Sequence, residues 1–464
     1  MSSKITCISP VDGSVYAERT ATSLSEARVI FAKAREARKT WSAMTLQARC
    51  DLLSAAVDHL AKAKAEISLE IAWQMGRPVA QCGGEISGME ERARHMLSIA
   101  PEALADAQLP QNGLALRTMR REALGTILVI APWNYPFLTA TNSIFPALAA
   151  GNSVVLKHSA QTLVCGERFA EAFAAAGLPE GVFQLCLTTN DDTTALIGEG
   201  IHDHIVFTGS VSVGRHLQAA NAAHFSGIDL ELGGKDPAYV RADANVAWAA
   251  ECLVDGAFFN SGQSCCGIER IYVHRDVYAA FVDRFAEMTK AYVLGDPTED
   301  HVTLGPLVSG KAADFVRGQV AEAVEKGARA LIAAGDFPAD ELGSAYLAPQ
   351  VLIDVTHDMR VMSEESFGPV VGIMSVDSDE EAVRLMNDSD FGLTASVWTA
   401  DLVAAEAIAA KIETGTCFAN RCDYLDPALA WTGVKDTGRG CSLSVHAYDH
   451  LTRLKSYHFR AQPE

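Results

Sequence analysis

Cys265 lies in the run Phe259-Asn260-Ser261-Gly262-Gln263-Ser264-Cys265-Cys266. A cysteine in a glycine-containing loop just after a helix can be partly exposed. Its thiolate is the reactive form, and nearby amide dipoles are expected to lower its pKa. A cysteine alone is more often a small buried hydrophobe, so the case rests on company. Glu231-Leu232-Gly233-Gly234-Lys235 places an acid where a strand breaks into a glycine turn, from which it can take a proton off a thiol or a water. Pro132-Trp133-Asn134-Tyr135-Pro136 follows a short apolar run, and an Asn amide there can donate to a developing oxyanion. Phe207-Thr208-Gly209-Ser210-Val211-Ser212-Val213-Gly214 reads as strand, glycine turn and helix start, a receptor for a pyrophosphate at a helix N-terminus. Its glycines are too far apart for the dinucleotide fingerprint GxGxxG.

The elements that must position these residues come in a regular order. Apolar positions at helical spacing mark Ser23–Lys39 and Thr45–Met75. Leu114–Arg121 alternates, as a strand or arm would. Thr126–Ala131 is a β-branched run stopped by Pro132, read as a buried parallel strand. Strands at Ser153–Lys157, Val182–Cys186 and His204–Thr208 then alternate with helices at Cys165–Ala176 and Thr193–Gly198. A second series starts with Ala238–Val240, helix Ala247–Phe259, strand Arg270–His274 and helix Tyr278–Tyr292. It continues with strands near Ala328–Ala333, Pro369–Ser375, Ala395–Thr399 and Gly415–Asn420, and Leu451–Arg460 reads as a terminal strand. Such alternation predicts an α/β fold with two doubly wound parallel sheets in tandem.

Bulk properties narrow the function. The 464 residues are 49% hydrophobic and 21% charged, ordinary for a globular chain, with a formal net charge of −20. That surface disfavours nucleic acid and the anionic face of a membrane. Ile127–Pro132 is too short to span a bilayer, and no signal peptide is visible. The eleven cysteines contain no CxxC pair and suggest reduced thiols in a cytoplasm, with no metal site expected.

Taken together and in this order, these motifs resemble the aldehyde dehydrogenase superfamily. Glu364-Glu365-Ser366-Phe367-Gly368-Pro369 and Gly433-Val434-Lys435 followed by Gly438-Arg439 complete the likeness, which runs from about Ile8 to the C-terminus. The resemblance implies a cofactor domain (1–104 and 126–229), a catalytic domain (230–442) and a small β oligomerisation arm (105–125 and 443–464). A homodimer or homotetramer follows from it, since unpaired strand edges need cover. It implies that Cys265 attacks an aldehyde, that Asn134 and the Cys265 amide hold the oxyanion, and that Glu231 activates the water that hydrolyses the thioester. Glu365 is expected on the nicotinamide ribose and Phe367 against the nicotinamide. Lys157 and Ser210 belong to the adenosine ribose and the pyrophosphate, with Trp133, Gly209, Gly214 and Leu232 completing the cofactor crevice. Lys435 is either a structural residue near the site or a surface lysine.

Two departures matter. Lys157-His158-Ser159-Ala160 stands where the family often has Lys-Pro-Ser-Glu, and Ala160 lacks the carboxylate that binds ribose hydroxyls. NAD is expected, with NADP as the alternative. The Lys-His pair is similar to some succinate-semialdehyde dehydrogenases, but the two arginines that clamp a distal carboxylate there fall on Asn142 and Phe259. A carboxylate-bearing substrate is therefore disfavoured unless Arg421 substitutes. Tyr135, Phe259 and Trp431 as aromatic walls, with Thr139 and Asn142, suit a small, moderately polar or aromatic aldehyde. Cys266 and Cys422 are expected near the site as spectators. The competing readings are an acylating enzyme using coenzyme A and a non-catalytic nucleotide-binding scaffold.

Overall fold

The computed structural model describes residues 3–462 apart from 334 and 423, so the first two and last two residues of the expected domain boundaries lie outside the described residues. Two sheets dominate. In the first, Thr126–Ala131 is central and wholly buried. It pairs in parallel with Ser153–His158 on one side and His204–Thr208 on the other. Phe183–Leu185 and Gly227–Glu231 extend it in parallel, and the two-residue strand Gly438–Arg439 closes one edge antiparallel to Gly227–Glu231. In the second sheet the parallel strands run Gln350–Ile353, Val370–Val376, Ile268–His274, Asp236–Val240, Thr394–Trp398 and Thr416–Ala419. Apolar cores cover both faces of each sheet. Of the strand expected at Ala328–Ala333 only Arg329–Ala330 forms, exposed on both residues and antiparallel at the sheet edge, because it has one neighbour to pair with.

A third sheet pairs Leu116–Ala123 with Thr452–Phe459 in antiparallel register, from Ala123 opposite Thr452 to Leu116 opposite Phe459, with Ala107–Gln108 on the far side. The N-terminal helices begin where the chain supplies caps. Ser23 and Glu26 form a reciprocal capping box for Leu24–Ala43, and Thr45 caps Leu46–Lys62. The run from Thr45 to Met75 is two helices, broken at Ala63.

One element central to the site has no counterpart in the sequence reading, the helix Val79–Ala103. Gly83, Gly84 and Gly88 weaken its helical signal, since each costs about 1 kcal/mol relative to alanine. Packing explains Gly88. A Cβ there would stand 2.7 Å from Leu138 Cδ2, so glycine lets this helix lie directly on the helix Leu138–Ala149.

Candidate active site

The thiol of Cys265 is presented by an irregular turn. After the helix Val246–Phe258, Asn260 and Ser261 adopt left-handed φ of 55° and 56°, and Gly262 follows at 70°. A side chain on Gly262 would sit 2.3 Å from the Gly368 carbonyl oxygen. Such backbone persists only where its surroundings over-determine it. Here the Asn260 amide donates to the Asn134 carbonyl at 3.3 Å and the Gln263 carbonyl at 3.1 Å. Its Oδ1 accepts from Arg77 Nε at 3.0 Å. Ser261 Oγ donates to the Gly305 carbonyl at 2.9 Å.

Asn134 belongs to the turn that ends the buried strand Thr126–Ala131, and its Nδ2 donates to the Gln263 carbonyl at 3.2 Å, two residues before the thiol. An amide nitrogen carries two donors, so this contact aims the group and uses one of them. Beneath it lies a buried ion pair. Arg77 Nη1 meets Glu85 Oε2 at 2.6 Å, and Arg77 Nη2 donates to the Asn134 carbonyl. Glu85 Oε1 accepts from the Phe137 and Leu138 amides, both at 2.9 Å. Neither residue was singled out from the sequence; the available signal was Gly76-Arg77-Pro78, a helix stop and start with an arginine inside it.

Cys265 is not poised as a thiolate. A hydrogen bond with the Cys266 thiol, then burial, then the nearby Asp236 and Glu365 carboxylates hold its pKa well above the usual thiol range. The expected lowering by amide dipoles is thus outweighed by burial and negative charge. Glu231 ends the strand Gly227–Glu231, where Thr208 Oγ1 donates to its Oε2 at 3.1 Å. Burial raises its pKa, which suits a general base. Among the described residues no hydrogen bond joins Glu231 to Cys265. The carboxylate lines a small separate cavity with Asn142, Ser143, Asp229, Cys441 and Ser442.

The opposite wall comes from Glu365–Phe367. Glu365 Oε1 accepts from the Gly234 amide at 2.9 Å, and a Cβ on Gly233 would stand 2.4 Å from the same oxygen. Burial, and then the charge of Glu269, push Glu365 up to about 7. Phe367 has a left-handed φ of 51°, and its ring packs edge-on to Trp133 with centroids 5.6 Å apart. Buried Glu269 secures this turn by accepting from the Ser366 amide at 2.8 Å, the Phe367 amide at 2.9 Å and Lys235 Nζ. Glu269 was also missed, since an acid inside a strand resembles any other until its partners fold around it.

On the other side of the crevice, Ser210 occupies the N-cap position of the helix Val211–Ala220 without capping it, which leaves the first amides of that helix open to an anion. Gly214 lies against Leu232, whose side chain a Cβ would meet at 2.7 Å. Gly209 is hydrogen-bonded to the Glu231 carbonyl at 3.0 Å. Lys157 Nζ donates to Asn190 Oδ1 at 2.9 Å. His158 points inward to the Pro136 carbonyl at 3.1 Å and burial lowers its pKa to about 4, so it offers no positive charge to a 2′-phosphate. An uncapped helix start, Lys157 and Trp133 at the carboxyl ends of the first sheet's parallel strands, faced by a buried carboxylate and Phe367 from the turn before Val370–Val376, fit a dinucleotide.

A cavity of about 450 Å³ opens at Cys265. Tyr135, Thr139, Phe259 and Trp431 line it with Cys266. Asn142 does not, because it faces the small cavity of Glu231 and accepts from Arg92 Nη1 at 3.3 Å. Arg421 is exposed and outside this lining; its guanidinium lies over the Tyr424 ring at 4.1 Å, where water solvates the charge. Cys422 lies behind the cavity wall, 2.6 Å from where a Gly256 Cβ would be. Lys435 is exposed, donates to the Asn387 and Ser389 carbonyls at 2.8 and 3.0 Å and pairs with Glu413 at 2.8 Å.

A family model described as "Aldehyde dehydrogenase family" matches residues 1–457. Solved structures match over nearly the whole chain. An NAD-dependent aldehyde dehydrogenase from Sinorhizobium meliloti is 31% identical, covering 100% of this chain and 92% of its own, with a TM-score of 0.93. An NADP-dependent glyceraldehyde-3-phosphate dehydrogenase from Bacillus halodurans C-125, complexed with NADP, is 32% identical, covering 98% and 96%, with a TM-score of 0.92. A succinic semialdehyde dehydrogenase from Streptococcus pyogenes in complex with NADP+ is 25% identical, covering 98% and 99%, at 0.92.

Proposed function

This chain belongs to the aldehyde dehydrogenase family, and we propose that Cys265, Asn134 and Glu231 perform its reaction on a small, moderately polar or aromatic aldehyde. The enzyme oxidises an aldehyde to the acid with NAD or NADP as acceptor. The observation that carries the residue assignment is the Asn134 amide fixed on the Gln263 carbonyl, beside the thiol that opens into the cavity.

Its pKa raised by the Cys266 thiol and by burial, the Cys265 thiol passes its proton to a water in the cavity as it attacks. Sγ bonds to the carbonyl carbon and the C=O electron pair moves onto oxygen. The second Asn134 N–H and the Cys265 amide hold that oxyanion. The bound cofactor supplies the hydride acceptor. Loss of hydride from the carbon leaves a thioester on Cys265. Glu231, turned away from Thr208, takes a proton from water, whose oxygen bonds to the carbon as the C–S bond breaks. A base serving this hydrolysis supports water over coenzyme A as the resolving nucleophile.

For the cofactor, Ser210 and the amides after Gly209 receive the pyrophosphate, with Gly214 and Leu232 shaping the turn. Lys157 would serve the adenosine ribose, Glu365 the nicotinamide ribose, and Trp133 and Phe367 the nicotinamide. NAD is favoured, because Lys157 is engaged with Asn190 and His158 faces inward. The outer strand Thr452–Phe459 supports a homo-oligomer paired through this edge. Eleven free cysteines support a reducing compartment such as the cytoplasm. Among the described residues no helix is long and apolar enough to cross a membrane.

The test is a panel of aldehydes run with NAD and with NADP, following cofactor reduction. Cys265→Ala is expected to lose turnover and keep nucleotide binding; full activity in that variant would eliminate the assignment.

A further inference from the structure

The helix Val79–Ala103 brings a second arginine, Arg92, to the cavity wall. It is 9% exposed. Its Nη1 makes two long contacts, to the Leu138 carbonyl at 3.4 Å and to Asn142 Oδ1 at 3.3 Å. Among the described residues it has no ion-pair partner, whereas Arg77 on the same wall is fully engaged by Glu85, Asn260 and Asn134. A buried guanidinium without an anion is costly, and a planar fork of donors matches a carboxylate.

We infer that Arg92 anchors a carboxylate on the substrate, which makes the preferred aldehyde a short oxo acid. This rests on the aldehyde-oxidising reading above and replaces its uncharged substrate with an anionic one. The disfavour that Asn142 and Phe259 suggested is answered from another helix, because Arg92 donates to Asn142 itself.

The other charges on this wall are satisfied or solvated. Glu85 is consumed by Arg77 and two backbone amides. Glu91 is exposed and accepts from the Tyr424 hydroxyl at 3.1 Å, while desolvation raises the Asp255 pKa and so favours its neutral form. Exposed carboxylates are screened by water and salt, while the buried guanidinium is not. Glu231 also faces Arg92 electrostatically, but Thr208 holds its oxygen. If Arg92 served Glu231 alone, its loss would slow every aldehyde alike.

The experiment compares kcat/KM for succinic semialdehyde, butyraldehyde and 4-aminobutyraldehyde, which share a chain length and differ in end-group charge. Wild type is expected to prefer the acid. In Arg92→Met the acid-to-neutral ratio is expected to fall by about tenfold to a hundredfold, the range for losing a hydrogen bond to a charged group. Arg92→Lys, which keeps charge and loses the fork, should recover part of it, and nucleotide binding reports whether each variant is folded. A wild-type ratio near unity, a preference for the amine, or a ratio unchanged in both variants would each overturn the inference. Absence of turnover with all three aldehydes would instead remove the aldehyde-oxidising reading on which it rests.

Discussion

Arg77 and Glu85, eight residues apart and 2.6 Å from each other, form a fully buried ion pair whose other side-chain bonds go to Asn260 in the cysteine turn and to the Asn134 carbonyl and the Phe137 and Leu138 amides. Arg77 binds the Asn134 carbonyl and Glu85 binds the Phe137 and Leu138 amides, so the proposed oxyanion donor is held from both sides of its turn. Glu85→Gln leaves a buried guanidinium uncompensated. Breaking one side of such a pair costs about 3–5 kcal/mol, which chemical denaturation of the variant should register. Because the turn loosens with it, kcat should fall more than substrate KM rises. Unchanged stability would show that the pair is incidental.

Glu231→Gln separates the two halves of the reaction. Without a base for water, the thioester should persist, and mixing enzyme, NAD and aldehyde should give a burst near one equivalent of reduced cofactor per site followed by slow turnover. A steady rate equal to wild type without a burst would assign the base elsewhere.

Glu365 gives a pH-dependent stability term with a definite sign. Its carboxyl is raised to about 7 in the folded chain by burial and Glu269, against an unfolded value of 4.5. The neutral form is favoured by folding, so the contribution is fully present below pH 4.5 and is lost as pH rises through 7. Glu365→Gln should therefore be more stable than wild type at pH 8, with the difference shrinking toward pH 5, in thermal denaturation run across that range. A constant difference would mean that Glu365 does not titrate there. A companion variant, Gly233→Ala, places a methyl 2.4 Å from the Glu365 oxygen. Only the end of a flexible side chain has to move, so folding should survive while cofactor KM rises.

Arg421→Ala should change kcat/KM for any aldehyde by no more than about twofold, as for an exposed substitution away from the site. A large loss confined to acidic aldehydes would return the anchor from Arg92 to the loop that carries Arg421.

The residues proposed for catalysis were legible in the chain. Cys265, Glu231, Asn134, Glu365 and Phe367 sit in short motifs, and each motif needs its residues at fixed spacing because one turn or one strand end must present them. The alternation of buried strands with helices was likewise readable, since burial on both faces writes a continuous apolar run such as Thr126–Ala131. The helix Val79–Ala103 was not, because glycines that weaken local propensity are there for tertiary reasons, Gly88 clearing Leu138. Arg421 was misplaced for a related reason, as a loop residue's direction is set by what it packs against.

By itself, then, the sequence determined the reaction class, because covalent and proton-transfer chemistry requires particular side chains in local order. The tertiary structure decided what surrounds that chemistry. It raised the Cys265 pKa by setting its thiol against Cys266 and near the Asp236 and Glu365 carboxylates. It supplied the Arg77–Glu85 and Lys235–Glu269 supports. It also brought Arg92 to Asn142 across 50 residues of chain. Burial and long-range pairing are properties of the packed chain, and no local spacing encodes them.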